Sequence, residues 1–193
     1  MRKFFSVMAA NLVVLLLAGC LVPEKFTSSV MVKRDGTYTY RYEGTAMSVP
    51  ASIRLKGGAR LSPSDLQVLK QDAARMADGP GIRKAIYVGG GHYELLLEQD
   101  LQPGQPSDAS NFITLKRDKE GMVTIAPVPI SKRDLDALRQ LGFKVEGTLE
   151  VHLPAYAEVV DHNAHDEPGF FNKAYRWKID AIDIPPTIRF KLH

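Results

Sequence analysis

The chain's one cysteine, Cys20, stands directly behind an N-terminal apolar run, and that placement limits what the remainder can become. Arg2 and Lys3 supply a positive start, Leu12 to Ala18 the apolar segment, and Leu17-Ala18-Gly19 a small-residue approach to a cleavage point, which is the order of parts in a secretion signal. An exported chain enters an oxidising compartment, where small domains often rely on disulfides. With a single cysteine no intrachain disulfide can form, so this chain must be held by its hydrophobic core. Taking residues 1–19 from the 193 leaves 174, enough for one domain with a full core and too few to favour a second.

The four residues Leu17-Ala18-Gly19-Cys20 resemble the bacterial lipobox. The resemblance implies that the Cys20 thiol is diacylated with palmitate-type chains, that the signal is cut just before it, and that Cys20 becomes the acylated N-terminus. An ordinary signal peptide, or an uncleaved N-terminal anchor, would instead leave Cys20 an exported thiol with nothing to pair with. One acyl chain binds a membrane only marginally, but at roughly 0.8 kcal/mol per buried CH₂ two or three hold a protein there essentially permanently. Leu21, not Asp, follows the cysteine. In a Gram-negative cell the resemblance then implies an outer-membrane lipoprotein with its domain in the periplasm. The expected layout is a signal peptide over 1–19, a lipidated cysteine and short tether over 20–25, and a single domain over 26–193.

Charge narrows the partners. Lys plus Arg number 25 against 22 Asp plus Glu, and loss of Arg2 and Lys3 with the signal leaves 23 against 22, about +1. Nucleic acid needs a concentrated basic surface and is not expected as a partner. Beyond the signal no stretch approaches the roughly 18–20 apolar residues of a spanning helix.

Hydrophobic periodicity predicts an α+β domain, a mostly antiparallel sheet with two helices packed on one side. Residues 26–34 and 37–45 read as strands around Asp35-Gly36, a strong hairpin signal. In the second run Tyr38, Tyr40 and Tyr42 share one face, with Thr39, Arg41 and Glu43 on the other. Ser62-Pro63-Ser64-Asp65 predicts a helix running to about Ala77, and Ser131 with Asp134 a short one ending at Leu141 and Gly142. Strands are expected at about 82–88 and 92–99 around Gly89-Gly90-Gly91, a turn lacking both the GxGxxG pattern and a Walker lysine. Residues 100–110 have loop composition, and Phe112–Lys116 with Met122–Val128 form another hairpin. Strands at Phe143–Leu153, Tyr156–Val160, Ala174–Ile182 and Thr187–Leu192 complete the set.

The last third carries a second resemblance. Thr148-Leu149-Glu150-Val151-His152-Leu153-Pro154-Ala155-Tyr156, then Val159-Val160-Asp161-His162-Asn163-Ala164, then Tyr175-Arg176-Trp177, looks like the end of LppM-type bacterial lipoprotein domains. The hairpin from Phe26 to Gly44 is similar to the opening of that group. Ala155 departs from the group, which has glycine after the proline. The resemblance implies an envelope lipoprotein with an α+β domain that contacts envelope lipids, and it brings no catalytic residues. On physical grounds Trp177 belongs in the core, and Asn163 in a turn conformation few residues tolerate.

Three constellations could carry chemistry. The stripe of Tyr38, Tyr40 and Tyr42 is either a platform for a carbohydrate or lipid headgroup or a packed strand with hydroxyls at its edge. Asp161, His162 and His165 lie in a dense polar run to Glu167 and are weak metal-ligand candidates, but they lack HExxH spacing and cysteine partners, and a solvated loop explains them equally. No GxSxG elbow is present, and Asp180 with Asp183 reads as surface charge before it reads as a glycosidase pair. No cofactor and no catalytic residue are expected. The functional expectation is a membrane-anchored, non-enzymatic binding or structural module contacting an envelope protein or lipid. The alternative is a periplasmic hydrolase or metal-binding protein using the 161–167 loop.

Overall fold

A computed structural model describes residues 21–105, 113–170, 172–181 and 184–192. The signal, Cys20, Phe112, Ile182 and Asp183 lie outside the described residues. Ten strands and three helices are found among the described residues: β1 (Leu21–Val32), β2 (Tyr38–Ser48), α1 (Val49–Lys56), α2 (Pro63–Ala77), β3 (Ile82–Gly89), β4 (His92–Leu101), β5 (Ile113–Arg117), β6 (Met122–Pro127), α3 (Lys132–Gln140), β7 (Glu146–His152), β8 (Ala157–His162), β9 (Tyr175–Ile179) and β10 (Ile188–Leu192).

The strands form two sheets, one ordered β3-β4-β2-β1-β7-β9 and the other β5-β6-β10-β8. Within the larger sheet β1 pairs with β7 in parallel, Lys25 opposite Glu146 through Met31 opposite His152. The expectation of one mostly antiparallel sheet with two helices on one side is thus corrected: the fold is α+β, but the described residues form two sheets, one of them mixed, and three helices. A parallel partner 121 residues away leaves no local mark on either strand, because its register is set by burial and not by a turn.

Alternation along each strand turns one face of the larger sheet inward. Val30 and Val32, Tyr38, Tyr40 and Tyr42, Tyr93, Leu95 and Leu97, Leu149 and Val151, and Trp177 meet Leu115, Val123, Ile125, Ile188 and Phe190 of the smaller sheet in one buried cluster. Leu69 and Ala73 join it from α2. The outer face carries cross-strand ion pairs instead, among them Lys33–Asp100 at 2.8 Å, Arg41–Glu98 at 3.0 Å and Arg176–Glu150 at 2.6 Å. These exposed pairs set register and solubility more than stability.

Phe26 explains two glycines. It lies directly opposite Gly44 on β2 and Gly147 on β7, and its ring stacks on Tyr42 at 5.3 Å. A Cβ at Gly44 would fall 2.2 Å from the Lys25 carbonyl oxygen, and one at Gly147 would fall 2.7 Å from the Phe26 ring. The ring thus fills the space left at Gly147, while the β1 backbone at Lys25 and Phe26 fills the space left at Gly44.

Each helix starts on a serine cap. Ser62 and Asp65 form a reciprocal capping box at α2, and Ser131 accepts from the Asp134 N–H at α3. Ser48 accepts from the Ala51 N–H at 3.3 Å, with Pro50 in the first turn of α1.

Candidate functional site

The end of the domain that follows Cys20 is built from β1, β2, α1 and the β3–β4 turn. β1 begins at Leu21, opposite Ser48, and Val22 is only 6% exposed, packed with Leu138 and Val145. Residues 21–25 are therefore strand, not the expected tether. They fold because Val22 has an apolar cluster to enter, and a one-residue bulge between Pro23 and Phe26 lets the strand bend into it. Glu24 accepts a hydrogen bond from, or pairs with, His92 Nδ1 at 2.7 Å across the same end.

α1 continues directly from this edge. The turn glycine Gly91, at φ 85°, presses on it: a Cβ there would stand 2.8 Å from Ala51 Cβ. The Ser48 N–H donates to the Gly91 carbonyl at 2.9 Å, and Lys56 Nζ donates to the Gln140 carbonyl at the end of α3 at 2.7 Å. Arg54 pairs with Asp65 at the start of α2. Ala51 and Ser52 are buried, while every residue from 53 to 60 is exposed. Nothing in the reading of the sequence singled out this helix. Its signal is Ser48-Val49-Pro50, the same serine and early proline that mark α2.

The tyrosine stripe faces inward. Tyr38, Tyr40 and Tyr42 are at most 1% exposed. Tyr38 donates its hydroxyl proton to the Gln105 carbonyl at 2.9 Å and Tyr42 to the Thr45 carbonyl at 3.0 Å. This corrects the idea of a headgroup platform, because rings packed between two sheets present no face to a ligand. Burial, reinforced by Glu24, pushes the Tyr42 phenol well above its ordinary range, and burial does the same at Tyr93.

The 161–167 segment is more ordered than a solvated loop. β8 runs through Asp161 to His162, and Asp166 bridges to Arg176. The Ala164 N–H donates to His162 Nδ1 at 3.1 Å, and the Lys178 N–H donates to His165 Nδ1 at 3.2 Å. Each ring thus spends one nitrogen lone pair on a backbone N–H. His162 also packs on Tyr175, ring centroids 4.9 Å apart, and its Nε2 lies 3.4 Å from Glu167. Asp161 is exposed, opposite Arg189. Among the described residues no three His, Cys, Asp or Glu side chains gather as a metal site.

Asn163 is the organising residue here. Its Oδ1 accepts from Trp177 Nε1 at 2.7 Å and from the Thr187 N–H at 2.8 Å, while its Nδ2 donates to the Pro185 carbonyl at 2.9 Å. The side chain ties β8, β9 and the approach to β10 together, a role in hydrogen bonding where the sequence suggested only a turn conformation. The recess beside it, lined by Asn163, His165, Trp177 and Ile184, holds about 60 Å³, well below the roughly 300–1,000 Å³ of small-molecule pockets. A wider recess of about 580 Å³ lies along Lys132, Arg133, Asp136 and Gln140 of α3 and is open surface.

Among the described residues no helix is long and apolar enough to cross a membrane. The chain matches no protein-family model and no curated protein sequence. Among solved structures it is similar to the folded domain of the LppM protein of Mycobacterium tuberculosis, at 14% identity over 86% of each chain and a TM-score of 0.42, a likeness too slight to bear on function.

Proposed function

We propose that this chain is an envelope lipoprotein, acylated at Cys20, whose α+β domain acts as a non-enzymatic binding or structural module against an envelope protein or lipid. In a Gram-negative cell the expected address is the outer membrane, domain facing the periplasm. The observation that carries the reading is how close the folded domain comes to the cysteine. The lipobox-like run ends at Cys20, and the next residue, Leu21, is already paired in the sheet, opposite Ser48. A cut before Cys20 therefore leaves the described fold whole.

Support for a module over an enzyme comes from where the polar side chains go. His162 and His165 each accept a backbone N–H at Nδ1, and the Asn163 amide is taken up by Trp177 and backbone. The recess that Asn163 and His165 border is too small for a substrate of ordinary size. The test of the anchor is metabolic labelling with a clickable fatty acid in cells expressing the full chain or its Cys20→Ser variant. Label in the wild type that vanishes in the variant supports the proposal, and a wild type without label refutes it.

A further inference from the structure

We infer that the projecting segment 53–60 seats the domain on an anionic bilayer surface, on the side from which the acyl chains of Cys20 leave. The inference rests on the anchoring proposal and adds to it which face of the domain meets lipid. The first observation is placement. Leu21 is the register partner of Ser48, and α1 begins at the very next residue, Val49. The anchoring cysteine is thus one residue from the sheet edge that carries α1.

The second observation is the lack of slack. Because residues 21–25 are strand, an acylated Cys20 leaves about one residue, roughly 3.3–3.6 Å of extended chain, between the sheet and the headgroups. This edge cannot stand clear of the membrane. A protein partner would have to enter a gap the anchor does not leave, so the occupant that fits is the bilayer.

The third observation is what the edge presents. Residues 53–60 read Ile-Arg-Leu-Lys-Gly-Gly-Ala-Arg: two large aliphatic side chains, three basic ones and no acid. All eight are exposed, Ile53 by 54% and Leu55 by 37%. Aliphatic side chains without cover in the domain gain by leaving water. Arg60 has a stem long enough to lie along the interface with its charged head at lipid phosphate, while Arg54 and Lys56, held by Asp65 and the Gln140 carbonyl, keep positive charge at the same surface. So short a helix would bind a membrane weakly alone. Held at the surface by acyl chains, it needs only to choose an orientation.

Acylation consumes the only native thiol, so one introduced cysteine is a unique labelling site. The full acylated protein carrying Ile53→Cys, Leu55→Cys or Met31→Cys, labelled with a polarity-sensitive dye, would be reconstituted into phosphatidylcholine vesicles with and without phosphatidylglycerol. Met31 is an exposed control ten residues along β1 from Leu21, roughly 33 Å away at 3.3 Å per residue. Dye at 53 and 55 should shift to the blue and be quenched by lipid-borne quenchers several-fold more than dye at 31. Arg60→Gln, checked for an unchanged melting curve, should weaken the quenching in phosphatidylglycerol vesicles. Equal quenching at 31, 53 and 55 in protein that floats with the vesicles overturns the seating face and leaves the anchor standing. Protein that does not float overturns both. A blue shift already present without vesicles, or appearing only when envelope protein is added, also overturns the inference.

Discussion

Removal of the Asn163 side chain should cost far more than its surface position suggests. Trp177 is 2% exposed, and its Nε1 proton goes to Asn163 Oδ1 at 2.7 Å. In Asn163→Ala that buried donor has no partner, a cost of about 1–3 kcal/mol. The bonds to Thr187 and Pro185 lie at the surface, where water replaces the amide, and their loss adds about 1 kcal/mol or less. The expected total is about 1–4 kcal/mol. Trp177→Ala should cost about 3–5 kcal/mol through lost burial and a residual cavity, a large share of a typical total of about 5–15 kcal/mol. The two changes share one bond. Once the indole is gone there is no orphaned donor, so the double variant should fall about 1–3 kcal/mol short of the sum. Urea unfolding followed by far-ultraviolet circular dichroism is the assay, since Trp177 is the only tryptophan and fluorescence would be lost. Costs that add to within about 0.5 kcal/mol, or an Asn163→Ala variant as stable as wild type, would refute the reasoning.

Gly44→Ala should destabilise by about 1–3 kcal/mol, because its Cβ would stand 2.2 Å from the Lys25 carbonyl oxygen and 2.6 Å from Phe26 Cα; a neutral melt would contradict the close approach of β1 and β2 at this position. The raised Tyr42 and Tyr93 phenols hold their protons more tightly in the folded state than in the unfolded chain, where ionisation begins near about 10. Stability should therefore be complete below that pH and fall as pH rises above it, with a shallower fall in Tyr42→Phe; urea midpoints taken across the alkaline range test the slope. His162→Ala with His165→Ala gives up two hydrogen bonds to backbone N–H groups, about 0.5–1.5 kcal/mol each. That double variant should melt above Trp177→Ala, and zinc should not raise the wild-type midpoint; the reverse of either result would favour the metal reading.

Local chemistry made much of this fold legible. Ser62 and Ser131 place α2 and α3 within a residue or two, and Asp35-Gly36 and the Gly89–Gly91 run place their hairpins, because caps and turns are decided by neighbours in the chain. What escaped the sequence depends on distant partners. Nothing near Lys25–Met31 announces a parallel strand at Glu146–His152. The alternation in β2 shows that the tyrosines share a face, but the burial of that face follows from the second sheet laid over it. Residues 143–145 carry a strand-like composition, yet Phe143 and Val145 pack toward Leu138 before β7 begins. At the candidate site, the polar run from Asp161 to Glu167 was visible and its use was not, since the groups that occupy the histidines are the N–H groups of Ala164 and Lys178. Position beside the cysteine suggests a tether over 20–25, but Val22 packs against Leu138, 116 residues along the chain.

The proposal as a whole stands or falls on the mature N-terminus. The full chain would be expressed in a Gram-negative host, extracted from membranes with detergent, and its N-terminal peptide weighed by mass spectrometry. The expected peptide begins at Cys20 and carries the added mass of a diacylglyceryl group, with or without a third acyl chain. A peptide that begins at any other residue, or at Cys20 with a free thiol, contradicts the anchoring proposal and the membrane-facing edge inferred from it.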